Sequence, residues 1–117
     1  MLAQPNPTLT QREPQQHESD SLFEAAAEMF RVMSAPARLK IISHLCEGEK
    51  NVGELMSLVK TTQPNISQHL NTLHRAGVVG RRREGVQIYY RIANERVVDL
   101  CRSLCAVVAA DAEIPHG

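Results

Sequence analysis

The sequence predicts a mainly α-helical domain of five helices carrying one β-hairpin, an α+β arrangement. Three observations predict it. Apolar residues recur at spacings of three and four in five separate segments between residues 21 and 112. The third and fourth of these segments are short and only a few residues apart. Two β-prone runs flank Glu84-Gly85 just ahead of the fifth segment. At 117 residues the chain has the length of one ordinary domain, enough for a single core.

Residues 1–20 hold three of the six prolines with many Gln, Asn and Thr and show no apolar period, so they read as a disordered N-terminal arm. A first helix follows from Ser21, with Leu22, Ala26, Met29, Phe30 and Met33 at helical spacing and Asp20 or Ser21 as N-cap. Pro36 suits the first turn of a second helix, whose inner stripe is Leu39, Ile42, Leu45 and Cys46 and whose stop is Gly48. Asn51 and Glu54 have the spacing of a capping box and open a third helix with Val52, Leu55, Met56 and Val59 inward. Thr61-Thr62-Gln63 interrupts it. Pro64 then starts a fourth helix, with Ile66, Leu70 and Leu73 inward and Gly77 as its stop. Val78 to Arg83 and Val86 to Ile92 make the hairpin, and the second strand carries both tyrosines, Tyr89 and Tyr90. The fifth helix runs from about Asn94 to Asp111. Its stripe of Val97, Val98, Cys101, Leu104, Cys105 and Val108 is wide for one helix on a small body and suggests a partner subunit. Residues 113–117 read as a frayed end.

Composition narrows the function. No apolar run approaches the ~20 residues of a membrane helix, and the first residues lack the pattern of a secretory signal. Three cysteines are an odd number for a disulfide framework and fit a reducing, cytoplasmic setting. Neither a glycine-rich phosphate loop nor a metal-hydrolase motif nor a nucleophile elbow is present, and Cys46 with His44 or His69 lacks a third orienting group, so no enzyme is expected.

Formal net charge is zero, yet Lys60 to Arg91 holds six basic residues against Glu84 alone. A basic segment on a neutral body is the footprint of phosphate-backbone binding. Two short helices about a tight turn form a helix-turn-helix unit, and the second presents Gln63, Asn65, Ser67, Gln68 and Asn71 outward. Gln and Asn pair bidentately with adenine edges, and Ser serves as donor or acceptor. Arg81, Arg82 and Arg83 follow in the hairpin and would place cations beside the same duplex, positioning the protein without reading sequence. The order of these pieces makes the domain, residues 21–112, a winged helix-turn-helix. Thr62, Gln63, Asn65, Ser67, Gln68 and His69, with Arg81, Arg82 and Arg83, are the candidate DNA-binding residues. His69 reads equally well as a histidine packed beneath the fourth helix.

Four blocks in order then carry a resemblance. Ser34-Ala35-Pro36-Ala37-Arg38-Leu39-Lys40-Ile41, Val52-Gly53-Glu54-Leu55, Gln63-Pro64-Asn65-Ile66-Ser67-Gln68-His69-Leu70 and Arg83-Glu84-Gly85-Val86-Gln87-Ile88-Tyr89-Tyr90 resemble the ArsR/SmtB repressors. The resemblance spans about residues 20–110. It implies a homodimer closed by the first and fifth helices, with the fourth helix in the major groove of double-stranded operator DNA and release when an inducer binds. The family's usual metal boxes are not matched. Val52-Gly53-Glu54-Leu55-Met56-Ser57-Leu58 has no cysteine, the fifth helix opens Asn94-Glu95-Arg96-Val97, and His116 stands alone.

The remaining sensing candidates are Cys46, Cys101 and Cys105. A persulfide- and redox-sensing branch of the family uses one cysteine in the second helix and one in the fifth, aligned with Ser43 and near Ala109. Cys46 and Cys105 are each displaced by about one turn, in the same direction if the two helices run antiparallel. The resemblance therefore implies a thiol switch, Cys46 with Cys101 or Cys105, and no cofactor. Two alternatives stand beside it: arsenite or zinc held by the three thiols, and cysteines that only pack. A further alternative is a protein-interaction module that keeps the winged-helix fold without binding DNA.

Overall fold

The helical signals of the sequence become five helices, α1 Pro7–Met33, α2 Pro36–Leu45, α3 Val52–Val59, α4 Gln63–Arg75 and α5 Glu95–Ala112, with strands β1 Lys50–Asn51, β2 Val79–Glu84 and β3 Gln87–Ile92. The computed structural model describes the backbone of residues 7–112, and side chains from residue 18 onward. Residues 1–6 of the expected arm and the expected frayed end, 113–117, lie outside the described residues.

Residues 1–31 and 32–117 form two compact units. In the first, α1 begins at Pro7, so the helix start expected at Ser21 is corrected. Pro at the first helical position lacks only a donor that would be unpaired anyway. Gln, Arg and Glu propagate a helix without any apolar period, which is why periodicity missed this stretch. Leu22, Phe23 and Phe30 are 63–68% exposed, so they do not form the single-chain core that their spacing suggested.

In the second unit Ile41, Leu55, Ile66, Leu70, Leu73 and Val78 are fully buried, drawn from α2, α3, α4 and the entry to β2. Each helix end has a physical reason. Ala35 is extended ahead of Pro36 in α2. Asn51 Oδ1 accepts from the Glu54 N–H at 2.8 Å and Glu54 Oε1 accepts from the Asn51 N–H at 2.9 Å, completing the capping box of α3. Lys60 closes α3 in the left-handed region, at φ 61°, donating its N–H to the Met56 carbonyl. Asn94 Oδ1 caps α5 by accepting from the Val97 N–H at 3.1 Å.

Three expectations are corrected here. The sheet has three antiparallel strands in the order β1-β3-β2, not two, because Lys50 and Asn51 pair with Tyr90 and Tyr89. Two residues are too few to leave a period in the sequence. The hairpin loop is Gly85-Val86, closed by the Glu84–Gln87 pair, with positive φ at Gly85 alone, as a type II′ turn requires. Cys46 is exposed rather than inward, since it is the C-cap of α2, and Ile41 takes the buried place beside Ile42.

Candidate nucleic-acid interface

The face opposite the α4 core stripe begins with the turn between α3 and α4. Thr62 Oγ1 accepts from the Asn65 N–H at 3.4 Å, so this candidate DNA-binding residue is also the N-cap of α4. Ile66, Leu70 and Leu73 lie at intervals of four and three, fully buried, and rotate Gln63, Asn65 and Gln68 to the exposed side. Ser67 is half-buried at the edge of that face. Thr72 Oγ1 donates to the Gln68 carbonyl at 3.0 Å. Leu70 and Leu73 thus hold the polar side chains outward near a helix N-terminus, where free N–H groups favour anions.

His69 sits at the margin of this face, half-buried. Its Nδ1 accepts from Arg38 Nε at 3.1 Å, and Arg38 Nη1 donates to the Val32 carbonyl at 2.9 Å. Burial, and then the Arg38 charge, hold the His69 pKa below the ordinary histidine value, so the ring stays neutral. Nothing in the sequence pairs residues 38 and 69.

The three wing arginines are not equivalent. Opposite partners on an antiparallel pair share a face, and faces alternate along the strand. Arg81 and Arg83 pair with Tyr90 and Ile88, on the face that carries Val79 and Tyr90 into the core. Both are exposed, and among the described residues neither has an ion pair. Arg82 faces the other way. It donates to Glu49 through Nε at 2.9 Å and Nη2 at 2.7 Å, and through Nη1 to Glu84. Its guanidinium lies 4.7 Å from the ring centre of Tyr89, its cross-strand partner. These carboxylates hold its pKa above the ordinary arginine value, and Arg82 holds that of Glu49 below the carboxylate norm. Beside it, the Arg91 side chain lies so close over Gly80 that a Cβ there would stand 2.8 Å from Arg91 Cζ. The expectation of three equivalent phosphate-facing arginines is thereby corrected: two are free to face a duplex, and the third braces the hairpin against the segment before β1. Glu49 was legible only as one more acid in the balancing charge.

All three cysteines are free thiols. Cys46 lines a groove of about 320 Å³ with Leu45, Ile92, Glu95, Val98, Asp99 and Arg102, opposite the first turns of α5. Neither Cys101 nor Cys105 lines it. Those two are neighbours on one face of α5. Burial, then the nearby Cys105, raises the Cys101 pKa above that of a free thiol, favouring its protonated form. Among the described residues no three His, Cys, Asp or Glu side chains gather as a metal site. Within one chain Leu100, Leu104, Val107 and Val108 of α5 are 50–59% exposed, and of its stripe only Val98 is fully covered.

Comparison with known proteins agrees with this geometry. The family described as bacterial regulatory protein, arsR family, matches residues 35–80. The biofilm growth-associated repressor of Agrobacterium fabrum is 39% identical over 87 residues, 74% of this chain and 74% of its own. Among solved structures, the homodimeric winged helix-turn-helix DNA-binding domain of a possible ArsR-family regulator from Mycobacterium bovis aligns with a TM-score of 0.74 at 26% identity, covering all of this chain and 98% of that one. The transcriptional repressor BigR from Xylella fastidiosa aligns at 0.67 and 32% identity over 82% of this chain and 94% of its own.

Proposed function

The chain belongs to the arsR family of bacterial regulatory proteins, and we propose that it is a cytoplasmic, homodimeric transcriptional repressor that leaves its operator when its thiols are modified. Such regulators are not enzymes. One observation carries the DNA reading: Gln63, Asn65 and Gln68 stand exposed over a fully buried Ile66-Leu70-Leu73 stripe, with Arg81 and Arg83 unpaired on the hairpin that follows. In this reading α4 enters the major groove and the two arginines take phosphate. The dimer is supported by the exposed apolar residues of α5 and α1, and by repressors and a homodimeric domain among the similar proteins.

The inducer reading is a persulfide or oxidant acting on Cys46 with Cys101 or Cys105. A persulfide passes its outer sulfur to one thiolate, and the second thiol displaces it as hydrogen sulfide to leave a disulfide. The position of Cys46 on a groove against α5 supports this, because a cross-link there would tie α2 to the helix that carries the exposed apolar face.

The test is fluorescence anisotropy with duplex from upstream of the gene, across a salt series, before and after a persulfide donor, beside intact-protein mass spectrometry. A steep salt dependence with release and loss of two hydrogens is expected. Salt-insensitive binding to a protein partner in place of DNA would instead mark an interaction module. Release that requires arsenite retained on the thiols would move the inducer to a soft metal.

A further inference from the structure

We infer that Arg38 is a positioning residue for DNA recognition: it fixes His69 in the tautomer that presents an Nε2–H donor to an acceptor on the operator. The inference rests on the DNA-binding reading above.

Guanidinium nitrogens donate and never accept. The bond from Arg38 Nε therefore requires a lone pair on His69 Nδ1, and in a neutral ring the proton then sits on Nε2. The guanidinium is itself anchored, because Nη1 holds the carbonyl of Val32, a residue buried in the core. Two bonds from one planar group leave it little freedom to turn away. Burial and the Arg38 charge both oppose a second ring proton, so a single tautomer persists.

Nε2 is available. Among the described residues no bond to it is formed, and no buried side-chain nitrogen or oxygen lacks a partner, so Nε2 reaches solvent. His69 lies one turn after Asn65 on the same flank of α4 and next to Gln68. A fixed N–H at that place has the chemistry to meet guanine N7 or O6, or a phosphate oxygen. Arg38 contacts no base in this arrangement; it acts through His69.

The tautomer is read directly from long-range 1H–15N spectra of the imidazoles in the full-length protein. Wild type is expected to show a protonated Nε2 and a bare Nδ1 at His69. Arg38→Met, which keeps length but cannot donate, is expected to mix the tautomers and weaken binding to the upstream duplex about tenfold, the size of one hydrogen bond. Arg38→Lys restores a donor and should recover part of both signals. His69→Phe should lose a similar factor, and Arg38→Met should then add nothing. Duplexes carrying 7-deazaguanine or methylphosphonate locate the acceptor, since the matching one abolishes the His69→Phe effect.

A protonated Nδ1 in wild type, unchanged affinity in His69→Phe, or additive losses in the double variant would overturn the inference and leave Arg38 as a packing strut. If Arg38→Met fails to fold by circular dichroism, the wild-type spectrum and His69→Phe still decide. Wild-type protein that binds no duplex specifically would overturn the DNA reading itself, a failure visible before any variant is made.

Discussion

Arg82 and Glu49 form a bidentate ion pair across the base of the hairpin, with Nε 2.9 Å from Oε2 and Nη2 2.7 Å from Oε1. The pair commits one of three adjacent arginines to holding the wing rather than to meeting DNA. Glutamine at Arg81 or Arg83 should therefore lower affinity for all duplexes and reduce the slope of log K against log salt by about 0.9 each. Arg82→Gln should leave the slope nearly unchanged while weakening binding through a looser hairpin. Equal slopes for all three variants would mean that Arg82 exchanges its carboxylates for phosphate on binding.

Gln68 is exposed on α4, and Ser67 is half-buried beside it. Replacing both with Ala should abolish preference for the operator over unrelated duplex, at about 1–3 kcal/mol for a bidentate base contact. Most of the loss should come from Gln68. Sedimentation should show the same assembly as wild type; a change in assembly would mean that α4 is not the reading helix.

The capping box of α3 is a purely local feature with both bonds made. Asn51→Ala should lower stability by about 1 kcal/mol in urea unfolding. DNA affinity should fall by no more than this loss of folded protein explains.

Leu104 is 56% exposed on the α5 face that one chain leaves uncovered. Leu104→Glu places a charge there and should shift sedimentation toward monomer. DNA binding should fall with it, because two half-sites are no longer held together. A persistent dimer would move the interface away from this face.

Cys46 and Cys105 are exposed, whereas Cys101 is half-buried with a raised pKa. Alkylation at neutral pH, followed by peptide mass mapping, should label Cys101 last, with its rate climbing at more alkaline pH than that of a free thiol. Cys105→Ser should bind DNA normally and resist release by a persulfide donor. Normal release would leave Cys105 without a sensing role.

Much of the fold was legible in local chemistry. The Asn51–Glu54 box, Pro36 and Pro64 in first turns, and the buried stripe Ile66-Leu70-Leu73 are set by residues within a few positions of one another. The outward polar face of α4 followed from the same stripe. The extension of α1 to Pro7 was hidden because helix propensity without apolar patterning leaves no period. The strand β1 was hidden because two residues carry no alternation.

The sequence by itself determined which stretches are helix and strand, where each helix is capped, and which side chains of α4 turn outward. Tertiary structure decided which of three identical arginines is free, that Arg38 meets His69 from 31 residues away, and that Cys46 opens onto a groove beside α5. The division has a physical cause. Caps, turns and helical stripes are interactions between near neighbours along the chain, whereas a charge's partner depends on which distant segment folding brings within hydrogen-bond reach.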